Sequence, residues 1–352
     1  MSISTLKVTE SRANLLDESN IQFGKLYSDH MLIADYEDGA WKAPQILPYG
    51  DITMSPSTTF IHYGQAIFEG IKAYKTENGE VKIFRPHDNW KRFNISAERM
   101  AMPEIPEEIF IQGLKELIEL DKNWVPNSYG CSLYIRPFMF ATDEFIGVKP
   151  AEKFRFMIIT SPAGAYYSKP TRIYLQKEYI RAFPGGIGFT KAAGNYGATM
   201  LPSKKIKDMG YDQILWVDGV EHKYVQEIGT MNVFFVIGNT VITPDLTAGT
   251  ILAGVTRASI IQLLKEKGIT VEERPLAIDE ILEANKNGTL KEAFGAGTAA
   301  VIAPICELNY EGEIVNLPDE STWEISSMIK KELADIRHGH TADTHNWMFT
   351  VC

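Results

Sequence analysis

Gly188-Phe189-Thr190-Lys191-Ala192-Ala193-Gly194-Asn195-Tyr196-Gly197 sets one lysine among small residues, with a phenol five positions after it. An ε-amine with few charged neighbours can be shifted toward its neutral, nucleophilic form, and in that form it condenses with a carbonyl. The glycines and alanines around it let a flat ring approach the backbone. Further along, Tyr224-Val225-Gln226-Glu227-Ile228-Gly229-Thr230-Met231-Asn232 places Glu227 in a strand-like segment, where an unpaired carboxylate is expensive to desolvate. The cluster Gly185-Gly186-Ile187-Gly188 just before the lysine run is not a nucleotide loop. No Gly-Lys-Ser/Thr ending follows it, and its spacing is not that of a dinucleotide fingerprint.

Outward from these segments, 352 residues are too many for one compact core and suit two domains. With 45% hydrophobic and 23% charged residues the chain reads as a globular protein with real apolar cores. A net charge of −10 argues against binding a phosphate backbone, so no nucleic-acid partner is expected. Met1 to Asn20 is polar, without the basic stretch and apolar run of an export signal, and no apolar stretch approaches the ~18 residues of a membrane helix. The expectation is a cytoplasmic protein with no membrane partner. Cys131, Cys306 and Cys352 are scattered, which fits a reducing compartment. His338, His340 and His345 have no metal-ligand spacing and read as a surface tail, and no metal is expected.

The first half mixes short β-rich runs with helices. Ile111, Leu114, Leu117 and Ile118 recur at helical spacing between Pro106 and Lys122, which predicts an amphipathic helix. Leu133 to Phe140 predicts a strand on which Tyr134 and Arg136 share a face, because side chains alternate. From Ala141 to Lys153 the pattern lapses into a connector. The second half is strand-dense. Gln213 to Val217 and Met231 to Ile237 are strands, Gly238-Asn239 is a hairpin turn, and Gly254 to Lys267 is a helix stopped by Gly268.

Other segments complete a pattern: Phe23-Gly24-Lys25, Asp29-His30-Met31-Leu32, His62 to Ala73 containing Phe68-Glu69-Gly70, Phe84-Arg85-Pro86, Leu133 to Pro137, Pro162 to Tyr166, Gly254 to Arg257, Phe294 to Ala299, and Trp347-Met348-Phe349. In order and spacing, these and the two opening segments resemble the branched-chain aminotransferases of the pyridoxal-phosphate fold type IV group, over almost the whole chain. The resemblance implies an α/β (α+β type) fold of two domains. A small N-terminal α/β domain spans 1–165, with a connector at about 141–170. A larger strand-rich domain spans 166–352 and binds pyridoxal 5′-phosphate, with the active site in the cleft. The implied reaction is reversible ping-pong transfer of the amino group of L-leucine, L-isoleucine or L-valine to 2-oxoglutarate, by a homodimer.

The resemblance also implies roles. Lys191 binds the cofactor covalently and then moves a proton. Glu227 faces the ring nitrogen and Tyr196 the ring hydroxyl. Arg92, Val255, Thr256 and Thr298 hold the phosphate, with Arg85 a structural ion-pair former. Phe23, Phe68, Tyr134 and Tyr166 line the side-chain pocket, Thr230 and Ala299 lie near the substrate carboxylate, and Arg136 orients Tyr63 or the far carboxylate of glutamate. Tyr63, Ile146 and Val148 match residues that the family takes from a second subunit. Ala300 and Ala303 stand where some members carry a redox cysteine pair, so no thiol regulation is expected. D-amino acid aminotransferases and aminodeoxychorismate lyases share the cofactor positions. The Glu-Ile-Gly-Thr-Met-Asn run, the N-terminal extension and the Trp-Met-Phe end favour the branched-chain type. A catalytically silent binding protein of the same fold is disfavoured because Lys191, Glu227, Tyr196 and Arg92 are all present.

Overall fold

A computed structural model describes residues 2–164 and 169–352. The chain forms two compact units, one of Met1–Tyr166, Thr190–Gly194 and Ala334–Cys352, the other of Tyr167–Phe189 and Asn195–Leu333. The division read from sequence treats each domain as one continuous stretch, whereas the chain returns twice to the first unit. Backbone hydrogen bonds hold both returns. Ala192 bridges Ile67 and the Lys191 carbonyl accepts from the Phe68 N–H, while the C-terminal strand Met348–Thr350 pairs with Val81–Phe84.

In the first unit ten strands form one sheet. Its centre is Ser132–Ala141, antiparallel to Phe154–Ala163 on one side and to Ile71–Lys75 on the other. One face is covered by the helix Pro86–Arg99 and by the helix Gly113–Leu120 with its π-helical lead-in Glu108–Gln112, and there the rings of Phe93, Phe110 and Phe156 meet at 5.6 to 5.7 Å. The wide lead-in turn explains why Ile109, Phe110 and Ile111 are buried in succession, which a regular helical stripe does not allow. Tyr134 and Arg136 lie on the other face of the strand Ser132–Ala141, with Phe138 and Phe140, the latter packed on Phe60.

Among the described residues the second unit has nine strands, six of which close into a ring. The order is Val225–Ile228, Gln213–Val217, Thr171–Gln176, Val301–Tyr310, Leu290–Gly297 and Met231–Ile237, which pairs back to Val225–Ile228. Leu215, Ile228, Val233, Phe235, Ala293 and Ile305 belong to its core cluster. Closure buries all four residues of Val225–Ile228. The turn Gly238-Asn239 joins Met231–Ile237 to Thr240–Thr243, and the helix Val255–Glu266 follows.

The surface tail read at His338, His340 and His345 needs correction. His338 ends the helix Ile325–His338 and is 3% exposed, between the rings of Tyr74 and Tyr129. Its Nε2 accepts from the Gly130 N–H at 3.1 Å and its Nδ1 lies 3.3 Å from the Lys75 carbonyl. His345 stacks on Trp347 at 4.2 Å, and only His340 is exposed. Among the described residues, no helix is long and apolar enough to cross a membrane.

Candidate active site

Lys191 is fixed through its backbone. Its N–H donates to Ser96 Oγ at 3.1 Å and its carbonyl accepts from Phe68 N–H at 3.1 Å, so the residue is attached to both the helix Pro86–Arg99 and the strand Ala66–Phe68. Its Nζ lies 4.8 Å from the centre of the Phe68 ring, and the Arg136 guanidinium lies 4.5 Å from the same centre. Phe68 is thus contacted by two cations, each attracted to a ring face.

Glu69, next in sequence, is fully buried. Its carboxylate accepts from Arg92 Nε at 2.7 Å, Arg92 Nη2 at 2.8 Å, Asn89 Nδ2 at 2.8 Å and its neighbour's Gly70 N–H at 3.0 Å. Burial pushes the Glu69 carboxyl up, but Arg92 and, more weakly, Lys191 outweigh it and hold the group below the ordinary carboxylate range. One buried anion therefore balances part of the charge of both Lys191 and Arg92. Two of the roughly five N–H donors of the Arg92 guanidinium are committed to it. Arg85 pairs instead with Asp88 at 2.8 Å and lies over Trp347.

A cavity of about 180 Å³ opens beside Phe23, Tyr27, Tyr134, Arg136, Thr160 and Ser161. It is smaller than the ~300–1,000 Å³ of whole small-molecule sites, so it suits a side chain. Tyr134 meets Phe23 edge-on at 5.0 Å and accepts from Arg136 Nη2 at 2.9 Å. Arg136 Nε is buried and, among the described residues, has no hydrogen-bond partner. Tyr63, Ile146 and Val148 are not in this wall. They are 44%, 65% and 87% exposed, and the Tyr63 hydroxyl donates to the Ile146 carbonyl.

In the second unit Glu227 is 4% exposed, not the water-facing glutamate usual on strands. Its Oε1 accepts from the Leu252 N–H at 2.7 Å, and its Oε2 lies 3.4 Å from Arg181 Nη2. Asn232, opposite Glu227 across the strand pair, donates to the Leu252 carbonyl at 2.9 Å. Leu252 leads into Gly254 and the helix Val255–Glu266, whose first N–H groups have no intrahelical acceptor and whose N-terminus carries partial positive charge. Val255 and Thr256 are buried there. Pairing of Asn232 with Ala296 brings the exposed turn residue Thr230 to the same barrel end as the half-buried turn residues Thr298 and Ala299. Val301, closing that turn, has φ +61°, a left-handed conformation costly for a β-branched residue. Tyr196 is half-buried.

The residues expected from sequence thus fall into groups. Lys191, Arg92, Phe68, Phe23, Tyr134 and Arg136 belong to the first unit, with Tyr63, Ile146 and Val148 apart on its surface. Glu227, Thr230, Val255, Thr256, Thr298 and Ala299 gather at one end of the barrel. Tyr166 lies outside the described residues. Sequence reading gave no role to Glu69 or Arg181. Glu69 had a signal, a carboxylate inside an apolar strand run, whereas Arg181 stands in a loop with none.

Residues 66–308 match the family model described as amino-transferase class IV. The chain is 47% identical over 340 residues to branched-chain-amino-acid transaminase 1 of Bacillus subtilis, covering 95% of each chain. Among solved structures it resembles the branched-chain amino acid aminotransferase of Thermobaculum terrenum in its PLP form, at TM-score 0.75 and 26% identity, covering 92% of this chain and 98% of that one. The corresponding enzyme of Escherichia coli matches at TM-score 0.76 and 25% identity, covering 92% and 99%.

Proposed function

The chain belongs to the branched-chain aminotransferases of the amino-transferase class IV family, a pyridoxal 5′-phosphate-dependent group, and from that premise we propose how its residues divide the work. The reaction moves the amino group of L-leucine, L-isoleucine or L-valine to 2-oxoglutarate, giving branched-chain 2-oxo acids and L-glutamate. When bound, pyridoxal 5′-phosphate supplies an aldehyde that takes up the amino group and a protonated ring that withdraws electrons from the substrate α-carbon. The donor set suits that group: an amine anchored at both backbone ends, a buried carboxylate, an arginine, and a helix N-terminus flanked by a threonine turn.

Lys191 Nζ would hold the cofactor covalently and serve as the base that moves the substrate α-proton. Glu227 would face the ring nitrogen as its acidic partner, and Tyr196 would face the ring hydroxyl. Arg92, the Val255 and Thr256 N–H groups and Thr298 would hold the phosphate, the helix contributing its positive end. Phe23, Phe68, Tyr134 and Tyr166 take the branched side chain, in keeping with the side-chain-sized cavity. Thr230 and Ala299 bind the α-carboxylate. The buried, unpartnered Nε of Arg136 supports its pairing with the far carboxylate of glutamate, which reconciles an apolar pocket with an acidic second substrate.

A homodimer in the cytoplasm completes this reading. Tyr63, Ile146 and Val148 leave large apolar surface in water, and a second copy of the chain covers it and delivers these residues to its neighbour. The carrying observation is the buried Glu227 beside the N-terminus of Val255–Glu266. Borohydride reduction followed by peptide mapping should label Lys191, and a donor panel against 2-oxoglutarate should favour leucine, isoleucine and valine. A label elsewhere, or faster turnover of D-alanine, would refute the proposal.

A further inference from the structure

Arg181 carries a buried charge that none of the roles above uses. Its side chain is 7% exposed, and its nearest carboxylate oxygen is Glu227 Oε2 at 3.4 Å. The rest of the guanidinium serves backbone. Nη2 donates to the Thr250 carbonyl, and both Nη atoms reach the Gly188 carbonyl at 3.4 Å, while Nε is buried without a partner among the described residues. Thr250 is itself tied to the glutamate strand, because its Oγ1 accepts from Gln226 Nε2 at 2.9 Å. Gly188 approaches so closely that a Cβ there would sit 2.6 Å from the Thr250 carbonyl oxygen.

Arg181 therefore joins three pieces of backbone: the strand of Glu227, the loop entering the helix Val255–Glu266, and the segment that reaches Lys191 three residues after Gly188. Its charge matters as much as its bonds. A carboxylate buried without a cation drifts toward its neutral form, whereas a guanidinium beside it keeps it ionised and cannot itself lose a proton. The same cation lowers the affinity of Glu227 for a proton shared with any base in front of it.

We propose that Arg181 is a positioning residue that acts through Glu227, holding that carboxylate ionised so that the proton shared with the cofactor stays on the ring nitrogen. The proposal rests on the pyridoxal-phosphate reading of Glu227. It assigns Arg181 control of the electron-withdrawing power of the bound ring, with no contact to substrate.

The test loads wild type, Arg181→Met, Arg181→Gln and Arg181→Lys with pyridoxal 5′-phosphate labelled with ¹⁵N in the ring. Wild type should give the nitrogen shift of a protonated pyridine. The Met and Gln variants should move toward the neutral value and lose about tenfold or more in kcat with little change in KM for leucine. Lys should restore the protonated shift and part of kcat, because it keeps the charge without the fork that spans two carbonyls. A purely structural role would weaken cofactor affinity and thermal stability while leaving the ring nitrogen protonated in every variant. That result overturns the proposal, as does a Lys variant with a neutral ring. Should neither neutral variant fold, the pH at which the ring nitrogen loses its proton decides: it should fall in the Lys variant, whose charge is held less closely to Glu227, and an unchanged value overturns the proposal. Failure of the underlying reading looks different: wild type itself would bind no labelled ring and transaminate nothing.

Discussion

Replacing Glu69 by glutamine keeps the shape of a fully buried side chain and removes its charge. Arg92 then loses the counter-ion it grips at 2.7 and 2.8 Å. Two charge-assisted hydrogen bonds at ~1.5–3 kcal/mol each give about 3–6 kcal/mol. Measured losses for one partner of a buried pair, ~3–5 kcal/mol, fall in the same range. A cost of about 4 kcal/mol is a large share of the ~5–15 kcal/mol that stabilises a typical domain. Urea unfolding of the cofactor-free protein should show it, and Glu69→Gln combined with Arg92→Met should cost less than Glu69→Gln alone, since no buried charge is then stranded. The effect should fade in acid. The Glu69 carboxyl is held below its unfolded value, so its contribution is complete above the ordinary range near 4.5 and is lost as pH falls through the folded value. A loss below about 1 kcal/mol at neutral pH, the level of an exposed pair, or strict additivity in the double variant would refute the reasoning.

A Cβ at Gly70 would lie 2.3 Å from the Tyr134 hydroxyl oxygen, so Gly70→Ala should swing that ring away from Arg136 and Phe23. Losing a hydrogen bond and an edge-on ring pair, about 1–3 kcal/mol together, should lower kcat/KM for leucine roughly 10- to 100-fold with cofactor absorbance kept; an unchanged kcat/KM would remove Tyr134 from the pocket. Burial, mainly, pushes the His338 pKa below its ordinary 6.5, so the unfolded chain takes up the proton first. The stabilisation is then complete above pH 6.5 and declines as pH falls through the folded value; His338→Gln should flatten the melting temperature between pH 7 and pH 5, and an unaltered slope counts against this. Burial and then Arg337 push the Lys72 amine down to about 7 from 10.5. Its charging therefore weighs on folding increasingly from pH 10.5 down to about 7, and Lys72→Met should gain most over wild type near pH 6 and least near pH 10; equal gains at both would contradict the burial.

Local pattern carried far into the fold. Strand boundaries at Gln213–Val217 and Met231–Ile237 follow from runs of β-branched and aromatic residues, and the shared face of Tyr134 and Arg136 from alternation, both properties of neighbouring residues. What depends on distant partners was not legible. The burial of Glu227 arises because Val225–Ile228 closes a ring with Met231–Ile237 on one side and Gln213–Val217 on the other, and no period in four residues announces that. His338 reads as a surface tail in sequence because no metal-ligand spacing surrounds it. Its burial comes from Gly130 and the rings of Tyr74 and Tyr129, more than 200 residues earlier in the chain. The return of the lysine segment to the first unit has the same origin, since it rests on backbone pairing with residues 67–68, far back in the chain.

The two buried ion pairs, Arg92 with Glu69 and Arg181 with Glu227, share a logic that stability alone does not supply. Apolar replacements of such pairs are often neutral or stabilising by ~1–4 kcal/mol, because desolvation offsets the attraction. Each pair also fixes the orientation of its members. Arg92 commits two N–H groups to Glu69, while Glu227 accepts from the Leu252 N–H on one oxygen and sets the second 3.4 Å from the Arg181 guanidinium. A guanidinium already desolvated and held by a carboxylate has little orientational freedom left to lose when an anion arrives, and a carboxylate held ionised by a guanidinium needs no proton rearrangement when a protonated ring arrives. The cost of desolvation is thereby met during folding instead of at each turnover.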